Sequence, residues 1–304
     1  MPAVYTPLMN LATVIATYSR RMRVRLDDGT EADARIKGKR LKAVCGDRVT
    51  IEPLPDEDEY LITEIGKRCN ELTRPNMRGQ VEILAANIDY LCVVAAAAPT
   101  ADWFIVDRYL CAAELMGIGA GLLYNKIDLD PDPPTEALDV YREIGYDVVT
   151  CSAVTGAGLE AVGKLLDGHC GIIVGQSGVG KSSIINRLVG IDLQRTADIS
   201  DKTREGRHTT VNSSMIVLPG GGEIIDSPGV RDYAPALESS AMASAGFREV
   251  RAAAVECRFA NCRHLREPGC AVKARVESGA ISARRYESYK RIVNLTEQLG
   301  EGRY

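Results

Sequence analysis

Cys170-Gly171-Ile172-Ile173-Val174-Gly175-Gln176-Ser177-Gly178-Val179-Gly180-Lys181-Ser182-Ser183 decides how this 304-residue chain is read. An apolar run leads into the spacing G-x-x-x-x-G-K-[ST], and a helical period (Lys181 to Gly190) follows it, which is the strand, loop and helix context that a phosphate-binding loop requires. Glycines let backbone N–H groups turn inward around phosphate oxygens, and the positive end of the helix dipole adds to the cradle. Gly175, Gln176, Ser177, Gly178, Val179, Gly180, Lys181, Ser182 and Ser183 are therefore the expected phosphate contacts. Lys181 would reach the outer phosphates and serve the transfer, and the Ser182 hydroxyl would ligate Mg²⁺.

Working outward, the text from about residue 80 alternates strand and helix: DYLCVVAAAA, WFIVDRYLCAAELM, GAGLLYNKIDL, TEALDVYREIG, DVVTCSA, GLEAVGKLL. That pattern predicts a mainly parallel sheet covered by helices on both faces. At the end of the strand GAGLLY stands Asn125-Lys126-Ile127-Asp128. A carboxylate there accepts from both the ring N–H and the exocyclic amine of guanine, whereas adenine would leave it buried and unpaired. Lys126 can lay its stem along the base, Asn125 can hold the loops together, and Ser152 and Ala153 of Cys151-Ser152-Ala153 would form a second base-contacting loop. Asp226-Ser227-Pro228-Gly229 follows the strand GEIID; Asp226 can hold Mg²⁺ through water, and the Gly229 N–H can meet the γ-phosphate. Before it lies a polar segment ending in His208-Thr209-Thr210, which reads as a first switch. Either threonine could complete the Mg²⁺ shell, with Thr210 preferred. Val230 stands where a water-orienting glutamine is common, so intrinsic hydrolysis should be slow, with His208 or a partner supplying the missing polar group.

The flanks read differently. Residues 11 to 74 hold five short alternating segments (ATVIATY, MRVRLDD, EADARIK, DRVTIEP, YLITEIG) punctuated by turns, which fits a small closed barrel of the OB type. Its recurring Arg and Lys, from Arg20 to Lys42, form either a nucleic-acid face or an ordinary solvated surface. The last seventy residues contain two helical stretches, SSAMASAGFREVRAAA and SARRYESYKRIVNLTEQL, around Cys257, Cys262, His264 and Cys270. Three thiolates and an imidazole so close together are the ligand set of a closed structural zinc site, which would compensate for a small core. Nearby Arg258, Arg263, Arg266, Lys273, Arg275, Arg284, Arg285, Lys290 and Arg291 offer phosphate contacts or a solvated helix face. The other six of the nine cysteines read as small buried hydrophobes.

The formal net charge of −4 hides an asymmetry. Residues 1–79 carry 14 basic and 12 acidic side chains, 80–235 carry 11 and 21, and 236–304 carry 12 and 8, so an acidic centre is flanked by two basic ends. With 45% hydrophobic and 26% charged residues, collagen-like and wholly disordered readings are excluded. No apolar run reaches bilayer length and the first residues lack a signal-peptide pattern, so the expected location is cytoplasmic with no membrane partner.

Motif order carries the family resemblance. Asn125 to Asp128 and Cys151 to Ala153 precede Gly175 to Ser182, Thr209-Thr210 and Asp226 to Gly229, a circular permutation of the usual GTPase order. With a barrel before it and Cys257-x4-Cys262-x-His264-x5-Cys270 after it, the chain resembles the small-ribosomal-subunit-dependent GTPase A (RsgA) family along nearly its whole length. The resemblance implies a monomeric GTPase, divided as 1–79 OB-fold RNA-binding, 80–235 permuted GTPase and 236–304 helical zinc-binding domains. It would bind the small (30S) ribosomal subunit and its rRNA late in maturation, and hydrolyse GTP to GDP and phosphate under the subunit's stimulation. Two rivals stay open: a P-loop kinase acting on a metabolite, and a nucleotide-sensing RNA-binding module with negligible turnover.

Overall fold

A computed structural model describes residues 10–18, 21–38, 41–55, 57–75, 81–130, 132–190, 211–226 and 240–301. The first five strands are β1 (Asn10–Tyr18), β2 (Met22–Leu26), β3 (Glu31–Ile36), β4 (Arg48–Pro53) and β5 (Glu59–Ile65). They run in the order β1-β2-β3-β5-β4, and β4 returns to β1, which closes the barrel. Alternation explains it: Val14, Val24, Ala34, Val49, Ile51 and Ile62 point inward and are buried, while arginines take outward positions. Those arginines are paired, Arg21 with Glu59, Arg23 with Glu31, Arg25 with Glu223 and Arg35 with Glu57 and Glu59. This part of the surface is therefore ion-paired rather than openly cationic.

A two-stranded ribbon, β6 (Glu71–Pro75) with β7 (Val81–Ala86), comes next. The sequence reading did not anticipate it, and the expected division at residue 79 falls in its connection. The central sheet then assembles from β8 (Tyr90–Ala96), β9 (Gly119–Asn125), β10 (Asp147–Thr150), β11 (Cys170–Gly175), β12 (Val211–Val217) and β13 (Glu223–Asp226). Their order is β10-β9-β8-β11-β13-β12, parallel except for the pairing of β12. Every residue of β8 is buried, because alternate side chains serve opposite faces. Leu91, Val93 and Ala95 pack toward Tyr109 and Leu110 of α1 (Trp103–Met116). Cys92, Val94 and Ala96 pack toward Val162 of α3 (Leu159–Leu166) and Ile184 of α4 (Lys181–Val189). The Asp102 carboxylate caps α1 by accepting from the Phe104 N–H at 3.0 Å, and a left-handed Gly117 ends it. α2 (Thr135–Glu143) precedes β10.

The C-terminal part contains α5 (Ser240–Ala245), α6 (Arg248–Ala254), α7 (Ala271–Glu277) and α8 (Ala283–Glu301). The stretch read as one helix, 239–254, is broken after Ala245. Gly246 lies so close to α1 that a Cβ there would stand 2.2 Å from the Cys111 sulfur. Phe104 and Cys111 of α1 belong to the same apolar cluster as Phe247, Val250, Tyr289 and Ile292, so this part docks on a helix that covers the main sheet. Of the six scattered cysteines, Cys45, Cys92, Cys111 and Cys151 are buried as expected, Cys170 is partly buried and Cys69 is exposed. Among the described residues no helix is long and apolar enough to cross a membrane.

The docking seam holds a buried ion network. Arg285, 1% exposed, donates to Asp107 Oδ1 at 2.8 Å and to Glu249 at 2.7 and 3.0 Å. Arg284 reaches Asp107 Oδ2 at 3.2 Å, and the Tyr141 hydroxyl donates to Asp107 Oδ1 at 2.7 Å. Burial pushes the Tyr141 hydroxyl well above its ordinary pKa, so it keeps the proton it donates. Arg285 therefore cannot offer a phosphate contact, which corrects that part of the sequence reading. Removing one partner strands the other charge in the interior, so Arg285→Ala should lower unfolding free energy by about 3–5 kcal/mol in urea titration. Arg284→Ala, with a side chain 32% exposed, should cost clearly less; equal costs would contradict the assignment.

Candidate functional site

Three loops from separate parts of the chain meet at the carboxyl ends of β10, β9 and β11, the edge of an open α/β sheet where ligands gather. Asn125 ends β9, is 1% exposed and ties them together. Its Nδ2 donates to the Val179 carbonyl in the phosphate loop at 2.8 Å, and its Oδ1 accepts from the Ala153 N–H at 3.1 Å. Gly180 shows how close the approach is: at φ +96° it leaves no room for a side chain, since a Cβ would lie 2.4 Å from Asn125 Nδ2.

Lys126 adopts the left-handed conformation, φ 65°, which turns the chain into the 3₁₀ turn Ile127–Leu129. Its ammonium donates to Gly178 O at 2.7 Å and to Ala98 O at 2.6 Å. The Ala98 carbonyl was not singled out in the sequence; the only available signal was its place just after β8. Asp128 accepts a short hydrogen bond from the hydroxyl of fully buried Ser152, which in turn accepts from the Thr155 N–H at 3.1 Å. The candidate base-reading carboxylate is thus fixed from behind, with a second oxygen still to accept.

In the phosphate loop, Val179 is buried whereas Ser177, Gly178, Ser182 and Ser183 face solvent and Gln176 and Gly180 are half-buried. The Lys181 ammonium donates to the carbonyls of Gly175 and Gln176, both at 2.8 Å, bridging the mouth of the loop. Asp226 closes β13 nearby. Burial raises its carboxyl above the ordinary range, and the positive charge of Lys181 partly offsets this. Ser213 Oγ donates to the Asp226 carbonyl at 3.3 Å. The expected switch residues His208, Thr209, Thr210, Gly229 and Val230 lie outside the described residues.

The Cys/His cluster is a separate centre. Ligand atoms of Cys257, Cys262, His264 and Cys270 all lie within 4.8 Å of one another. His264 Nδ1 is 3.5 Å from the sulfurs of both Cys257 and Cys270, and those two sulfurs are 3.9 Å apart. Bonds of about 2.3 Å to sulfur and 2.0–2.1 Å to nitrogen give tetrahedral edges of about 3.5–3.8 Å, so the donor set fits zinc. Burial pushes the His264 imidazole pKa down, against the pull of Glu267, and favours the neutral form that can ligate. The loop is pinned around it. Tyr286 OH donates to the His264 carbonyl at 2.6 Å and Tyr289 OH to that of Arg263 at 2.8 Å. Glu267 accepts from the N–H groups of Arg263, Leu265 and Arg266, each at 3.0 Å. Burial would raise the Glu267 carboxyl, but these backbone donors hold it down to about 2.

Comparison with known proteins agrees with this geometry. A family model described as RsgA GTPase matches residues 65–235. A protein of Ectopseudomonas mendocina, named small ribosomal subunit biogenesis GTPase RsgA, is 43% identical over 255 residues, covering 82% of this chain and 74% of that one. A protein of the same name from Azotobacter vinelandii is 39% identical over 92% of this chain and 84% of its own length. The crystal structure of YjeQ from Thermotoga maritima matches with a TM-score of 0.75 at 28% identity, covering 95% of this chain and 99% of that one. YloQ, described as a circularly permuted GTPase, matches in fold with a TM-score of 0.73 at 24% identity over 98% of each chain. The chain belongs to the RsgA GTPase family of GTP-hydrolysing enzymes with permuted motif order.

Proposed function

We propose that this protein binds the small ribosomal subunit and its rRNA late in subunit maturation, in the cytoplasm and as a monomer, and that the subunit stimulates its hydrolysis of GTP to GDP and phosphate. The observation that carries the reading is the Asn125 tie, which brings the guanine reader and the phosphate loop to one sheet edge although the chain presents them in reversed order. Names of the relatives support the ribosomal role.

Asp128 reads guanine through the oxygen that Ser152 leaves free and the remaining lone pair of the other, with Ser152 and Ala153 forming the far wall and Lys126 packing along the base. Residues Gly175 to Ser183 wrap the phosphates. The Lys181 ammonium, which now bridges two loop carbonyls, exchanges them for the outer phosphates and neutralises charge as the bond breaks. Ser182 and Thr210 would hold Mg²⁺ directly and Asp226 through water; the ion, when bound, supplies charge stabilisation on the phosphates. Gly229 senses the γ-phosphate, and His208 or a group of the subunit orients the attacking water. Cys257, Cys262, His264 and Cys270 would hold one structural zinc ion. A division into barrel, GTPase and zinc-bearing parts near residues 79 and 235 gives each a role, with the flanking parts gripping the subunit.

Two outcomes test this. Asp128→Asn swaps an acceptor for a donor, which suits xanthine, whose 2-oxo group replaces the guanine amine. GTP affinity should fall by roughly 10²-fold or more and XTP affinity should rise; unchanged GTP affinity would remove Asp128 as the reader. In co-sedimentation with purified small subunits, the full chain should pellet with a nonhydrolysable GTP analogue and release with GDP. Equal pelleting in both states would contradict nucleotide-dependent subunit binding.

A further inference from the structure

Strand β1 belongs to two structures at once. Its first residues close the barrel against β4 (Asn10 opposite Ile51, Thr13 opposite Arg48). Its last residues exchange β4 for β12 on that edge, Ala16 opposite Ser214, Thr17 opposite Ser213 and Tyr18 opposite Val211. β2 follows the other edge throughout, and the register shift at Val14/Ala16 lies where the strand changes partner from β4 to β12. Barrel and GTPase strands therefore form one continuous eleven-stranded sheet.

What β1 meets there is the hairpin that carries Asp226. Ser214 stands opposite Ala16 on one side and opposite Asp226 on the other, so the three residues form a single row across three strands. Next to it, Ser213, 4% exposed, donates its hydroxyl to the Asp226 carbonyl. At the start of β13 the barrel makes a second clamp, in which the Arg25 guanidinium pairs with the Glu223 carboxylate and contacts Met215 Sδ at 3.4 Å. Elsewhere the seam is also fixed, with the Ala86 N–H donating to Cys45 O at 3.1 Å and Asn87 Nδ2 to Gly46 O at 2.8 Å. A barrel held this way moves with the hairpin rather than swinging on a linker.

We propose that the barrel is a positioning element for Asp226: Arg25, acting on β13, and Ser213, acting at the β1–β12 seam, set where that carboxylate stands and so set the grip of the site on nucleotide-bound Mg²⁺. The inference rests on the proposed role of Asp226 in holding hydrated Mg²⁺. Its consequence is a route for subunit contact at the barrel to reach the nucleotide through the sheet, at the root of the second switch. A ligand displaced by a fraction of an ångström weakens a metal site, which is why residues orienting ligands from behind matter.

The test uses the full chain with Ser213→Ala, Arg25→Ala and, as a rescue, Arg25→Lys. GTP turnover is measured against Mg²⁺ concentration, and fluorescent GDP affinity is measured in EDTA. Ser213→Ala and Arg25→Ala should each raise the Mg²⁺ concentration for half-maximal turnover, toward about tenfold, with Arg25→Lys recovering most of it and GDP affinity in EDTA staying within about twofold of the parent. Variants that follow the parent's Mg²⁺ curve overturn the inference alone. An equal loss of GDP affinity in EDTA also overturns it, because a merely structural defect moves both readouts. A parent that neither binds nor hydrolyses GTP removes the underlying reading as well.

Discussion

A single buried amide holds this site in one piece. Asn125 has no charge and almost no exposure, yet its two polar ends reach loops that lie 28 and 54 residues further along the chain. The amide itself is buried, so losing either bond would leave one of its polar ends poorly paired, at a cost of roughly 1–3 kcal/mol. The geometry needs the carbonyl of Val179 on one side and the N–H of Ala153 on the other, which the sheet supplies by placing β10 beside β9 and β11 one strand beyond it across β8. Sheet order is thus the constraint, and chain order is free to change around it.

That freedom explains the permutation physically. The order β10-β9-β8-β11-β13-β12 places base-reading and phosphate-binding loops side by side whichever comes first in sequence. Beginning the sheet at β8 moves the chain ends of the GTPase part to the neighbourhood of the barrel on one side and to β13, which carries Asp226, on the other. Both flanking parts are then anchored to working elements. The barrel continues the sheet through β12, and the C-terminal helices share the core of α1 and the Asp107 network. Intermediate elements of this kind transmit displacement well, because packed interiors do not deform continuously.

Local chemistry was legible in the sequence and tertiary company was not. The phosphate loop, the Asn125 to Asp128 turn and the four zinc-type ligands could be read because each depends on fixed spacing within one short segment. The five barrel strands and α1 could be read from the periodicity of their apolar residues. By contrast, the need for glycine at 246 shows only once Cys111 is seen to stand against it, and Arg285 reads as a phosphate-binding cation until Asp107 and Glu249 are seen enclosing it. The ribbon β6–β7 escaped because its pairing straddles an expected boundary, and the β1–β12 seam because strands nearly two hundred residues apart leave no pattern in either.

The most direct measurement is single-turnover hydrolysis of radiolabelled GTP by the intact, zinc-loaded protein with and without purified small ribosomal subunits, and ATP as the control nucleotide. Acceleration of at least roughly tenfold by subunits, for GTP and not for ATP, is the expected result for a site completed in trans. Turnover that is indifferent to the subunits, or equal for the two nucleotides, would contradict the reading of this chain as a subunit-stimulated GTPase.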